Sequence, residues 1–123
     1  GGKDSEGNAL SSVETFDPSV GWYPGPPLPD SRFGACASAL GGTGFLCGGM
    51  HDSVGLSSVL TYDPGTCTWA DGVPMPCARF SACAGALNGR LYVVGGCEHS
   101  SHGASASVQV FDPLSTEWTE APL

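Results

Sequence analysis

Two arginines, Arg32 and Arg79, open nearly the same nine residues, "RFGACASAL" at 32–40 and "RFSACAGAL" at 79–87. A guanidinium presents donors in a rigid fork that fits a carboxylate or a pair of carbonyls. Such a matched pair can bind an acidic segment or tie down neighbouring backbone. With only four Lys and Arg against twelve Asp and Glu, placing two cations at equivalent points is informative. His51 and Asp52 have the types of a base and its orienting acid, with Ser53, Ser57 and Ser58 close by in sequence. Catalysis also needs a nucleophile in line with the base, and nothing in the spacing supplies one. Cys97, Glu98, His99 and His102 in "CEHSSH" carry donor atoms a metal can use, but their spacing fits no zinc pattern. No metal and no other cofactor is expected.

The elements that must position these residues follow from self-similarity. Sliding the chain by 47 aligns 32–50 with 79–97, with ten identities in nineteen pairs, and brings Trp22 onto Trp69 and Gly1–Gly2 onto Gly48–Gly49. A fixed period of this size indicates an array of supersecondary units. Each unit reads as four strands. The first, 32–40 or 79–87, is built from Gly, Ala, Ser and Cys and suits a crowded innermost position. The second, "GFLCGG" or "LYVVGG", is apolar and ends in paired glycines. The third, "VETFDP", "VLTYDP" or "VQVFDP", alternates and then turns at Asp-Pro, where the Asp side chain accepts from backbone ahead of it. The fourth begins at Trp22, Trp69 or Trp118.

Arginine, small strand, Gly-Gly, aromatic-Asp-Pro and tryptophan, in that order, closely resemble the kelch repeat, and the resemblance covers nearly the whole chain. It implies an all-β fold, a β-propeller fragment of four-stranded antiparallel blades. Residues 1–31 are then the outer two strands of half a blade, spanning 11 to about 29, and 32–78 and 79–123 are complete blades of the same incomplete propeller. Propellers close with about four to eight blades, so the chain either belongs to a longer kelch domain or assembles with other copies. Cys47, Phe45 and the short turn in "DPSVGW" depart from the usual pattern without disturbing the fold.

Composition narrows the partners. A formal charge of −8 disfavours nucleic acid and anionic lipid, and no stretch approaches the ~20 apolar residues that span a bilayer. The opening "GGKDSEGNAL" has neither the basic start nor the apolar run of a secretory signal, and it does not begin on methionine, as a piece of something longer would. Cys36 and Cys83 share a repeat position and the other four of six cysteines follow no shared spacing, which reads as buried thiols in a reducing, cytoplasmic setting rather than a disulfide framework.

Antiparallel order places the loops 3–10, 50–57 and 97–106 on one rim with the inter-blade segments 24–31 and 72–78. The resemblance makes that rim the partner-binding face, with Arg32, Arg79, His51, Asp52, Glu98, His99 and His102 as its candidate contacts and an acidic peptide as the expected ligand. It further implies a substrate-recognition module of a cullin-type ubiquitin ligase adaptor, whose cullin-binding region is absent from these residues. The alternatives are a cytoskeletal or scaffold-binding kelch protein and, less favoured, a kelch-propeller enzyme.

Overall fold

A computed structural model describes residues 1–99 and 103–122. Among these the chain is all-β, without a helix. β1 (Glu14–Asp17) pairs with β2 (Gly21–Pro24) in a two-stranded sheet. The first complete blade is an antiparallel sheet of β3 (Cys36–Leu40), β4 (Thr43–Cys47), β7 (Val59–Asp63) and β8 (Thr68–Asp71). Between β4 and β7 a small hairpin, β5 (Met50–His51) and β6 (Val54–Gly55), rises onto the rim. The second blade is β9 (Cys83–Leu87), β10 (Arg90–Val94), β11 (Ser107–Asp112) and β12 (Glu117–Pro122).

The inner strands begin at Cys36 and Cys83, four residues later than the repeat suggests. Residues 32–35 and 79–82 approach the rim as single bridges instead, Phe33 to Met50 and Phe80 to Cys97. The first hairpin is likewise shorter than the span 11 to 29. The rim hairpin β5–β6 was not legible in advance, because two-residue strands leave no periodic signal.

Turn chemistry explains the regularity. Gly41–Gly42 and Asn88–Gly89 join the inner two strands with positive φ at both residues, the geometry that matches strand twist in a two-residue hairpin. At the outer turns Asp17, Asp63 and Asp112 each accept, through Oδ1, the backbone N–H two residues on, at 2.7, 2.8 and 2.9 Å. The paired glycines serve close approach: a Cβ at Gly48 would collide with the Arg79 carbonyl, and one at Gly96 would sit 2.6 Å from the Phe80 carbonyl oxygen.

The core lies between the blades. Cys36, Cys47, Val59 and Met75 pack against Leu91, Val93 and Phe111, flanked by Phe45, Ala82, Ala84 and Trp118. Phe45 and Phe111 meet across the interface with ring centroids 5.8 Å apart. The outer-strand tryptophans of the two complete blades also reach back one unit. Trp118 Nε1 donates to the Val73 carbonyl at 2.8 Å, and Trp69 Nε1 to the Pro26 carbonyl at 3.0 Å. The inter-blade segments are plugged by Leu28 and Met75, both almost fully buried.

Candidate partner-binding rim

The two arginines lie under the rim. Arg32 is 1% exposed and Arg79 0%. Arg32 directs Nε and Nη2 to Asp30 Oδ1 at 3.0 and 2.7 Å, Nη1 to the carbonyls of Gly48 at 2.9 Å and Ser58 at 3.3 Å, and Nη2 to Ser58 Oγ at 3.0 Å. Those contacts join the inter-blade segment, the end of β4 and the approach to β7. Arg32 therefore braces three pieces of backbone, which is the role weighed in the sequence against ligand binding.

Arg79 occupies the matched place with different partners. Position 77, which matches Asp30, is a cysteine. Arg79 Nη2 donates to Ser107 Oγ, and the carboxylates come from elsewhere, Glu98 Oε1 at 3.3 Å from Nη1 and Glu120 Oε1 at 3.6 Å from Nη2. Among the described residues Nε and Nη1 make no aligned hydrogen bond. Cys77 Sγ donates to Glu120 Oε2 at 3.4 Å. Burial first, and then that bond to Glu120, push the Cys77 thiol up. Hydrogen bonds from Ser107 and Cys77, with Arg79 nearby, hold the Glu120 carboxyl below its usual range. Gln109, buried where the first blade has Leu60, donates from Nε2 to the Cys77 carbonyl at 3.3 Å, while its Oε1 has no partner among the described residues. Asp30, Cys77, Ser107, Gln109 and Glu120 carry no signal of their own in the sequence, and Ser58, considered there beside His51, serves Arg32 instead. Position 77 offered a clue, since the repeat sets it against Asp30.

His51, Asp52 and Ser31 form a chain of contacts. Ser31 Oγ lies 3.0 Å from His51 Nδ1, and His51 Nε2 lies 3.2 Å from Asp52 Oδ2. The residue types are those of a nucleophile, base and acid, but the geometry serves a latch. Nδ1 also lies 3.0 Å from the Ser31 carbonyl, so the ring nitrogen that a nucleophile would need is shared with backbone. Asp52 is 88% exposed, leaving no water-excluded wall to strengthen the interaction. Asp52 and Ser53 have φ of 46° and 65°, as a tight rim turn requires.

Glu98 is drawn to Arg79, whereas His99 is exposed at the surface. His102 lies outside the described residues. Among the described residues no group of three His, Cys, Asp or Glu side chains gathers around a common point suited to a metal, and no helix is long and apolar enough to cross a membrane. Beyond the carboxylates paired with the two arginines, the rim exposes the side chains of Asp4, Glu6 and Asp52. Lys3 lies over the Phe33 ring, 4.5 Å from its centroid.

This architecture agrees with what comparison with known proteins finds. The model of the kelch motif matches residues 31–76 and 78–122, and the chain belongs to the kelch family. Among the solved structures it resembles is one described as "Structure of YjhT", with a TM-score of 0.75 at 16% identity over 94% of this chain and 52% of that one. At that identity the likeness shows the fold, and the chain spans about half the length of its structural neighbour. No curated protein matches it.

Proposed function

We propose that the chain is a protein-recognition module whose contact surface is the loop rim and whose preferred ligand is a basic segment. Kelch repeats are in general protein-binding scaffolds, and the observation that selects the ligand is the location of charge. The acidic ligand expected from Arg32 and Arg79 depended on their being available, and both are buried with carboxylates of this chain. The carboxylates left at the surface attract Lys and Arg and repel acidic peptide. The Ser31–His51–Asp52 chain supports a structural latch, so the module is proposed as non-enzymatic. By analogy of fold alone, it is the substrate-recognition part of a cullin-type ubiquitin ligase adaptor working in the cytoplasm, where six free thiols are kept reduced.

Fluorescence anisotropy with a labelled Lys/Arg-rich dodecapeptide and a Glu/Asp-rich one tests the ligand class. The basic peptide should bind at low salt and weaken as salt rises, and Asp52→Lys with Glu6→Lys should lower its affinity at least about tenfold, roughly 1.4 kcal/mol. Tighter binding of the acidic peptide would overturn the reading. Co-purification of the adaptor with a cullin tests the ligase role separately.

A further inference from the structure

Cys77 stands where the first blade has an acid. Sliding by 47 sets it on Asp30, and each precedes its arginine by two residues. Asp30 Oδ1 accepts from both Nε and Nη2 of Arg32, at 3.0 and 2.7 Å. The matched Nε of Arg79 has no acceptor among the described residues, nor has Nη1, in a side chain that is 0% exposed. A thiol is a weak acceptor, so Cys77 donates instead to Glu120 Oε2, 3.4 Å away, whose other oxygen lies 3.6 Å from Arg79 Nη2. Thiol, carboxylate and guanidinium thus share one corner at the end of the inter-blade segment. The positive charge of Arg79 reaches the thiol there and partly opposes the rise in its pKa.

A buried cationic donor left over beside a half-buried cysteine calls for an acceptor that the unmodified chain does not carry. Oxidation of the sulfur can make one. A sulfinate spreads one negative charge over two oxygens on a single atom, as a carboxylate does, and accepts strongly from a guanidinium. Cys67 and Cys83 are more exposed than Cys77. The buried donors without partners among the described residues all belong to Arg79, however, so it is at Cys77 that an oxidised product meets an unmatched guanidinium.

We propose that Cys77 is a site of oxidation by hydrogen peroxide to the sulfinate, which takes the place of Asp30 in the second blade and accepts from Arg79 Nε. In the first step the sulfur attacks one peroxide oxygen and the O–O bond breaks. The thiol proton passes by way of Glu120 to the departing hydroxide, leaving water and a sulfenic acid. A second peroxide repeats the exchange, again releasing water, and the resulting sulfinic acid gives its proton to solvent. Each step takes two electrons from sulfur and reduces one peroxide. The brace at Arg79 then becomes local, like the one at Arg32, and no longer depends on Glu98.

The experiment treats the chain and its Cys77→Ser variant with hydrogen peroxide at neutral pH, maps the gain of two oxygens at residue 77 by tandem mass spectrometry, and reads Tm before and after. Oxidation of other thiols and of methionine is common to both proteins, so their difference isolates residue 77. The treated, unsubstituted chain should melt about 3 °C or more above treated Cys77→Ser, beyond any gap between the untreated pair. Cys77→Asp, which needs no oxidant, should raise Tm by a similar amount. In that background Glu98→Gln should lower Tm by at most about half of what it does in the unsubstituted chain, because the guanidinium has another partner. A disulfide in place of the sulfinate, no oxidation of Cys77 in the folded chain, or a sulfinate that leaves the Tm gap unchanged would each overturn the proposal. So would a Cys77→Asp chain that melts no higher than the unsubstituted one, or an undiminished effect of Glu98→Gln within it.

Discussion

Arg32 and Arg79 begin the same motif and end in the same burial, yet they are held by different means. Arg32 takes its counter-charge from Asp30, two residues away, and spends its remaining donors on Gly48 and Ser58. Arg79 draws Glu98 from the rim connection and Glu120 from the outermost strand. The first brace is local and well aligned; the second is assembled across the blade and leaves two nitrogens without aligned acceptors among the described residues. A repeat can thus preserve a cation while redistributing the acids that neutralise it. The second blade is then the one whose brace depends on the recognition loop.

The largest expected effect that tests this contrast is loss of either guanidinium. Arg32→Ala should cost about 3 kcal/mol of unfolding free energy in urea, since it strips buried carbonyls of their donor and leaves a carboxylate unmatched. Arg79→Ala should cost less, having fewer aligned bonds to lose; equal or greater loss would break the comparison. Next come the acids. Asp30→Asn, half-exposed and able to keep one acceptor oxygen, should cost about 1 kcal/mol or less. Glu98→Gln with Glu120→Gln should cost more than the sum of the singles, because only together do they strand the buried Arg79 charge. Additive singles would argue that the two carboxylates act independently.

Thiol chemistry sharpens the same contrast. Burial, and then the neighbouring Cys83, push the Cys36 thiol up to about 11, and burial, with Cys36 beside it, pushes Cys47 up to about 12. Iodoacetamide at pH 8 should label exposed Cys67 and Cys83 first and leave Cys36 and Cys47 unmodified in the folded chain. A folded value above the unfolded one, about 8.5, means that these thiols favour folding below that pH. The contribution is lost as pH rises towards 11–12, so thermal stability should fall across that window. The smallest effect belongs to Cys67→Gly and Thr116→Gly, both at φ 56° where the first hairpin already has Gly21. Each should be neutral or stabilise by roughly 0.5–1 kcal/mol in thermal melts, as strain relieved in the left-handed region outweighs added chain entropy.

Much of the fold was legible because its signals are local and repeated. Asp17, Asp63 and Asp112 mark turns, the Gly pairs mark close approach, and three tryptophans mark outer strands, each with a physical reason attached to its residue type. The sites were less legible. Whether Arg32 points out to the rim or down into its own blade depends on the position of the Gly48 carbonyl, which lies sixteen residues away in sequence. The partners of Arg79 are farther still. The brace at Arg79 also replaces a carboxylate with a thiol at position 77, which breaks the one pattern that could have been carried over from Asp30.

The backward reach of Trp69 and Trp118 gives the array a direction. Each ring secures the segment that leaves the preceding unit, so the two-stranded sheet is tied down by the first blade and the first blade by the second. Force applied at the C-terminus should therefore peel the second blade first. That step releases the 72–78 segment at Val73 and exposes Met75, and only afterwards is the first blade free to let go of Pro26. Pulled in an optical trap, such a chain would give way in an ordered sequence of steps, like a zipper opened from one end.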